Sequence, residues 1–218
     1  MIQAVIFDLD GVLVSTDEFH YRGWKRLADE IAAPFDRRAN ERCRGVSRMA
    51  SLEVVLERSD RAYSAEQKAE FAERKNGYYR ELLKQLTPED TLPGARATLE
   101  SLRERGVRTA IGSSSKNAGD IADRIAIRGL VDALVDGNDI SRSKPDPQVF
   151  QLAAAQLGVA PEHCLVVEDA EAGIEAAQRA GMHEFGIGAP DALPRATRCA
   201  PTLADVSVDE LLAVEAQA

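Results

Sequence analysis

Val5-Ile6-Phe7-Asp8-Leu9-Asp10-Gly11-Val12 is an apolar run that ends in two aspartates one residue apart, with a glycine behind them. A short run rich in β-branched residues and closed by Gly reads as a buried strand that stops at the aspartates. Side chains of an extended segment alternate between faces, so Asp8 and Asp10 leave the strand on one side, near enough to repel each other. Two carboxylates at a strand's C-terminal edge imply a cation, a proton or a phosphate to be handled there.

Outward from this strand, the sequence from about Thr91 onward alternates short apolar strands with helical stretches, the pattern of βα units and a parallel sheet. Strands are expected at Arg108–Gly112, Ala133–Val135, Leu165–Val167 and Glu184–Ile187. Helices are expected at Ala95–Arg105, Asn117–Ile127, Pro147–Leu157 and Ala172–Ala180, the last ended by Gly181. Residues from about Ser15 to Leu86 show helical periodicity and no strand. The first strand cannot fold alone and must join the later ones. The expected architecture is therefore α/β: a parallel-sheet Rossmann-like core with helices on both faces, residues 1–14 and 88–218, plus an inserted α-helical cap domain, residues 15–87. The segment Thr87–Gly94, with its two prolines, is the expected return linker.

The chain has 218 residues and a formal charge of −9, with a pI near 5.0. No lysine or arginine run would neutralise several phosphates, which argues against a nucleic-acid partner but leaves room for a small anionic substrate. There is no basic region followed by a long apolar stretch and no run of about 18 apolar residues, so neither a signal peptide nor a membrane span is expected and the location is read as cytoplasmic. Cys43, Cys164 and Cys199 are odd in number and have no CxxC spacing, which suits a reducing compartment and gives no zinc signature. No extra interaction segment stands out, and a monomer is expected.

Four constellations carry chemistry. Asp8 and Asp10 suit a nucleophile and an acid/base: one carboxylate attacks phosphorus while the other protonates the leaving oxygen. Their spacing alone equally suits a loop or helix-capping pair. Glu168-Asp169 follows the strand Leu165–Val167 and in a parallel sheet ends at the same edge. Four carboxylates need compensation, which a hard divalent cation with oxygen ligands supplies, and magnesium fits best; the plain alternative is that this pair starts the next helix. Ser113, Ser114, Ser115, Lys116 and Asn117 lie between a strand and a helix, where small residues let backbone N–H groups approach an oxyanion and Ser113 adds a hydroxyl. Asn117 equally reads as a simple N-cap. In Lys144-Pro145, proline restrains the backbone that aims the ammonium, as a counter-charge for phosphoryl oxygens requires; a solvated surface lysine is the alternative.

All four fall at C-terminal strand ends, where open α/β sheets bind ligands. Asp8-Leu9-Asp10-Gly11, Ser113, Lys144-Pro145 and Glu168-Asp169 resemble, in order, the motifs of the haloacid-dehalogenase superfamily. The second aspartate, Asp10, resembles the phosphatase and phosphomutase branches rather than the dehalogenases or phosphonate hydrolases. Over nearly its whole length the cap is similar to the β-phosphoglucomutase branch, through Thr16, His20-Tyr21-Arg22-Gly23-Trp24-Lys25, Gly45-Val46-Ser47-Arg48, Ser51-Leu52 and Arg74-Lys75-Asn76. That resemblance implies that Asp8 is phosphorylated and that Asp10 moves the proton. It implies that Asp8, the Asp10 backbone carbonyl, Glu168 and Asp169 hold Mg²⁺, and that the cap closes on β-glucose 1-phosphate or the 1,6-bisphosphate. Ser15 and Arg44 depart from the branch's usual aspartate and lysine.

The cap residues also have a physical reading. His20, Trp24, Leu27 and Ile31 form one apolar helix stripe, on which His20 is either a packed ring or a substrate or hinge group. Lys75 falls on the stripe Phe71, Lys75, Tyr78, Leu82, where an inward lysine calls for an anionic partner unless it snorkels to the stripe's edge. Ser47 is a candidate N-cap, and Arg48 beside it is a candidate grip for a second phosphate. With Thr16, Trp24, Gly45, Val46 and Ser51 from the resemblance, these residues form the expected sugar-phosphate set. The expected activity is interconversion of β-D-glucose 1-phosphate and D-glucose 6-phosphate through an aspartyl phosphate and glucose 1,6-bisphosphate. A Mg²⁺-dependent sugar-phosphate phosphatase and a non-catalytic binding protein on the same fold are the alternatives, the last opposed by the presence of Asp8, Asp10, Lys144 and Asp169 together.

Overall fold

The computed structural model describes residues 1–43 and 46–214. The chain divides into two compact units, one formed by Met1–Ser15 with the chain from Thr87 onward, the other by Thr16–Leu86. The expected boundaries at 14/15 and 87/88 fall one residue from these.

In the first unit, β1 (Ala4–Phe7) is the centre of a six-stranded sheet with β2 (Arg108–Gly112), β3 (Ala133–Val135), β4 (Cys164–Glu168), β5 (His183–Ile187) and β6 (Cys199–Ala200). The order is β3-β2-β1-β4-β5-β6, and every pair is parallel. All four residues of β1 are 0% exposed, so both faces of the sheet are covered. Ala4, Ile6, Ala110, Val135, Cys164 and Val166 share one core with α7 (Gln148–Leu157) and α8 (Glu171–Arg179). Val5, Phe7, Ile111 and Val167 alternate onto the other face, where α5 (Ala95–Glu104) packs on β2 and against α9 (Val208–Leu212).

The registry decides where the site lies. Phe7 is level with Ile111 and Val167, so Asp8 emerges beside the ends of β2 and β4. Sequential order runs outward from β1 in both directions, which makes the β1/β4 edge a topological switch point. Glu168 proves to be the last residue of β4, not the first after it, and α8 begins only at Glu171, so Glu168 and Asp169 do not start the helix. The helix after β2, α6 (Ala118–Arg124), is shorter than expected because the chain turns at Ala126, whose φ of +55° is left-handed and cannot continue a right-handed helix. The two-residue β6 and five-residue α9 are too short to show a period in sequence.

The second unit has no strand among its described residues and consists of α1 (Asp17–Glu30), α2 (Arg37–Glu41), α3 (Arg48–Leu56) and α4 (Ala65–Leu83). A reciprocal capping box starts α4: Gln67 N donates to Ser64 Oγ and Ser64 N to Gln67 Oε1. Trp24, Leu27, Ile31, Phe35, Leu52, Val55 and Phe71 form the core of this unit. No helix among the described residues is long and apolar enough to cross a membrane.

Candidate active site

At the end of β1, Asp8 N continues the ladder by donating to Val167 O at 2.9 Å. Its carboxylate is almost buried and accepts from Lys144 Nζ, which also donates to Glu168 Oε2 at 2.7 Å. The Lys144 side chain is 8% exposed, so the surface-lysine alternative does not hold. Burial works against its charge, but the Asp8 and Glu168 carboxylates outweigh that and hold the ammonium well above an ordinary lysine. The Lys144–Pro145 peptide is cis.

Asp8, Glu168 and Asp169 each offer a carboxylate oxygen within 4.8 Å of the others. Burial pushes the Glu168 carboxyl up to about 7, assisted by Asp8 and opposed by Lys144. Burial pushes Asp169 up to about 9, with Glu168, Asp8 and Asp10 adding repulsion. One ammonium is thus too little positive charge for this edge. Oxygen-only donors, negative and crowded, suit a hard divalent cation and no soft metal. The Asp10 carboxylate lies outside that group of three, although its charge reaches Asp169; the resemblance assigns Asp10 to a metal through its backbone carbonyl.

Two glycines that sequence reasoning did not assign make room for these acids. A Cβ on Gly11, whose φ is +98°, would run into the Asp169 carboxylate, and a Cβ on Gly173 in α8 would run into that of Glu168. The sequence signal is only a glycine early in the helix that follows the acids.

At the end of β2, Ser113 is buried, its N–H donates to Val135 O, and its Oγ accepts from Ser115 N at 3.2 Å. Ser115 Oγ in turn accepts from Asn117 N at 3.2 Å. The Ser113 N–H is therefore used on β3 and those of Ser115 and Asn117 within the loop, which narrows the expected row of oxyanion donors. Asn117 occupies the N-cap position of α6 but makes no side-chain capping bond. Ser114 Oγ is buried with no hydrogen-bond partner among the described residues, and Lys116 is exposed.

In the helical unit, Thr16, His20, Trp24 and Lys75 come together. Lys75 is 3% exposed, its Nζ lies 2.8 Å from His20 Nδ1, and it sits 4.7 Å from the ring centres of both Trp24 and Tyr79. An ammonium can only donate, so Nδ1 accepts and the imidazole proton is on Nε2. Burial, then the charges of Lys75 and Arg48, hold the His20 pKa well below 6.5. The α4 stripe is corrected by one residue: the buried face is Phe71, Ala72, Lys75, Tyr79 and Leu83. Tyr78 stays at the rim because its hydroxyl donates to Glu30 and Arg26 lies over its ring. Ser47 does cap α3, accepting from Ala50 N at 3.2 Å. Arg48, partly exposed, makes a long 3.4 Å pair with Glu73. Ser51 is buried and donates to Cys43 O at 3.4 Å, and Val46 is exposed. Gly45 and Arg44 lie outside the described residues.

Two outcomes follow. Gly173→Ala should displace the Glu168 carboxylate and weaken binding of a divalent cation by about 10–100-fold, as loss of a ligand's support does; calorimetric titration of the folded variant with an undiminished affinity would contradict this seating. Because the folded His20 pKa is depressed, its stability contribution is full above about pH 6.5 and is lost as pH falls towards the folded value. Melting temperatures at several pH values should therefore fall more steeply on acidification for the wild type than for His20→Asn.

A family model described as haloacid dehalogenase-like hydrolase matches residues 2–181. The β-phosphoglucomutase of Bacillus subtilis (strain 168) is 45% identical over 189 residues, covering 86% of this chain and 84% of its own length. A phosphorylated carbohydrates phosphatase of Thermotoga maritima is 30% identical over 190 residues, covering 85% of each. Among solved structures, a β-phosphoglucomutase from Clostridium difficile matches with a TM-score of 0.89 at 35% identity, covering 96% of this chain and 95% of that one. The paired aspartates just after β1, the buried lysine between Asp8 and Glu168, and a match running from the first strand through α8 agree on one conclusion: the chain belongs to the haloacid dehalogenase-like hydrolase family.

Proposed function

We propose that the protein is a Mg²⁺-dependent β-phosphoglucomutase that converts β-D-glucose 1-phosphate to D-glucose 6-phosphate. The observation that carries the chemistry is the buried Asp8 carboxylate, tied to Lys144 and grouped with Glu168 and Asp169. The 45% identity to the Bacillus subtilis mutase supports the choice of substrate. The three free cysteines suit a cytoplasmic location.

In this reading an Asp8 oxygen attacks the phosphorus of a sugar phosphate, the bond from phosphorus to the sugar oxygen breaks, and the Asp10 carboxyl gives that oxygen its proton. The return step uses the same groups. Asp10 takes the proton from the free hydroxyl of a sugar monophosphate, which attacks the phosphorus on Asp8 and frees the Asp8 carboxylate, so the bisphosphate is formed and then consumed as its other phosphoryl group passes to Asp8. Lys144 lies against Asp8 and offsets the charge of the phosphoryl oxygens, and Ser113 offers them a hydroxyl. Asp8, Glu168, Asp169 and the Asp10 carbonyl would hold Mg²⁺, which when bound would neutralise the remaining negative charge of acids and phosphate. Ser114, Ser115, Lys116 and Asn117 in the core unit, and Thr16, His20, Trp24, Val46, Ser47, Arg48, Ser51 and Lys75 in the helical unit, are assigned to the sugar phosphate. Arginine's planar fork suits Arg48 to the phosphate that is not being transferred.

The assay supplies β-glucose 1-phosphate with a trace of the 1,6-bisphosphate and Mg²⁺, and follows glucose 6-phosphate alongside inorganic phosphate. Glucose 6-phosphate should dominate and Asp8→Asn should abolish it; phosphate release dominating over many substrates would make the protein a phosphatase. The raised carboxyls add a pH test. Their contribution to stability is full below the unfolded values near 4 and is lost as pH rises through about 7 for Glu168 and about 9 for Asp169. Mg²⁺ should therefore raise the melting temperature more at pH 8 than at pH 6, and a shift independent of pH would contradict the assigned ligands.

A further inference from the structure

Tyr79 in α4 is 2% exposed and touches three of the residues assigned above to the sugar phosphate. Its hydroxyl is 2.9 Å from Thr16 Oγ1. Its ring lies on that of His20, with centroids 4.1 Å apart and planes inclined by 37°. Lys75 Nζ is 4.7 Å from the ring centre, one helical turn earlier on the same face. We infer that Tyr79 is a positioning residue that fixes the directions of Thr16, His20 and Lys75 together, and thereby the hold of the helical unit on the sugar phosphate. The identity of that ligand rests on the mutase reading; the positioning does not.

The hydroxyl makes the contact to Thr16, and the ring makes those to His20 and Lys75. A lysine stem has four rotatable bonds, and an aromatic face on either side, from Tyr79 and Trp24, limits where its ammonium settles. The imidazole is limited in the same way, by the ring it lies on and by its bond to Lys75. Tyr79 cannot swing aside, because close packing around a buried ring leaves no other rotamer open. Removing the hydroxyl takes away the contact to Thr16 alone, whereas removing the ring takes away the contacts to all three side chains. A tyrosine that merely filled space between α1 and α4 would affect stability without distinguishing these cases.

The experiment compares Tyr79→Phe, Tyr79→Leu and Tyr79→Met in the full chain. It reads the imidazole proton resonances of His20, assigned with His20→Asn, then KM and kcat for β-glucose 1-phosphate, and the ratio of glucose 6-phosphate to inorganic phosphate. Tyr79→Phe should keep the ring-shielded His20 resonances and raise KM by about fivefold, the effect of one hydrogen bond. Tyr79→Leu should move those resonances downfield, raise KM by about 10–100-fold with a smaller change in kcat, and increase phosphate release. If Tyr79→Leu fails to fold, Tyr79→Met, which better retains the volume, is held to the same expectations. A folded ring-less variant with unchanged His20 resonances, or with wild-type KM and product ratio, would overturn the inference. A wild type that leaves β-glucose 1-phosphate untouched would overturn the mutase reading instead, and the resonances would still decide the role of Tyr79.

Discussion

Negative charge at the edge of β1 and β4 is held in place by a single buried ammonium. Lys144 donates to both Asp8 and Glu168, and without it two carboxylates taken out of water would stand side by side with no counter-charge. Burial first, and then repulsion from Glu168, Asp8 and Asp10, makes Asp169 resist ionisation. The ammonium of Lys144 pairs with Asp8 and Glu168 and leaves the charge of Asp169 to be offset. That imbalance makes the same pocket of charge receptive to a divalent ion and selective for the ionised form of its own acids once that ion is present.

The sheet turns separate pieces of sequence into this one edge. Phe7, Ile111 and Val167 are level across three parallel strands, so the residues that follow them are neighbours although they come from distant parts of the chain. Lys144 arrives from the segment between β3 and α7 and belongs to no strand. Gly11 and Gly173 act by what they lack, since the space of a Cβ is taken by the carboxylates of Asp169 and Glu168. The geometry of the acids is therefore set as much by backbone placement as by the acids themselves.

Much of this was legible in the sequence because it depends on local pattern. The span of β2 and β3, the helical character of the Ser15–Leu86 stretch and the motif acids all follow from periodicity, turn residues and motif order. What was not legible depends on tertiary packing. Whether Glu168 ends a strand or starts a helix cannot be read from its neighbours, and the outcome turned on its pairing with Gly186. The two possible stripes on α4 share Lys75, and only the partner helix selects Tyr79 over Tyr78, through Glu30 and Arg26 at the rim and His20 within. The imidazole nitrogen and the two aromatic rings beside Lys75 are also brought to it by the fold and not by its stripe. Serine hydroxyls that tie up the N–H groups of Ser115 and Asn117 likewise leave no trace in a one-dimensional pattern.

Val14 and Thr91 form an antiparallel bridge, and Leu92 N donates to Leu13 O at 2.9 Å, so the chain leaves the core and returns to it at one point. Loop-closure entropy grows only slowly with the length of the segment between two such fixed ends. Everything from Thr16 to Leu86 is thus, to the sheet, a single long connection whose content has little bearing on strand registry. The helices between those two points can therefore change in length or number without disturbing the strand registry that brings Asp8, Glu168 and Asp169 to one edge.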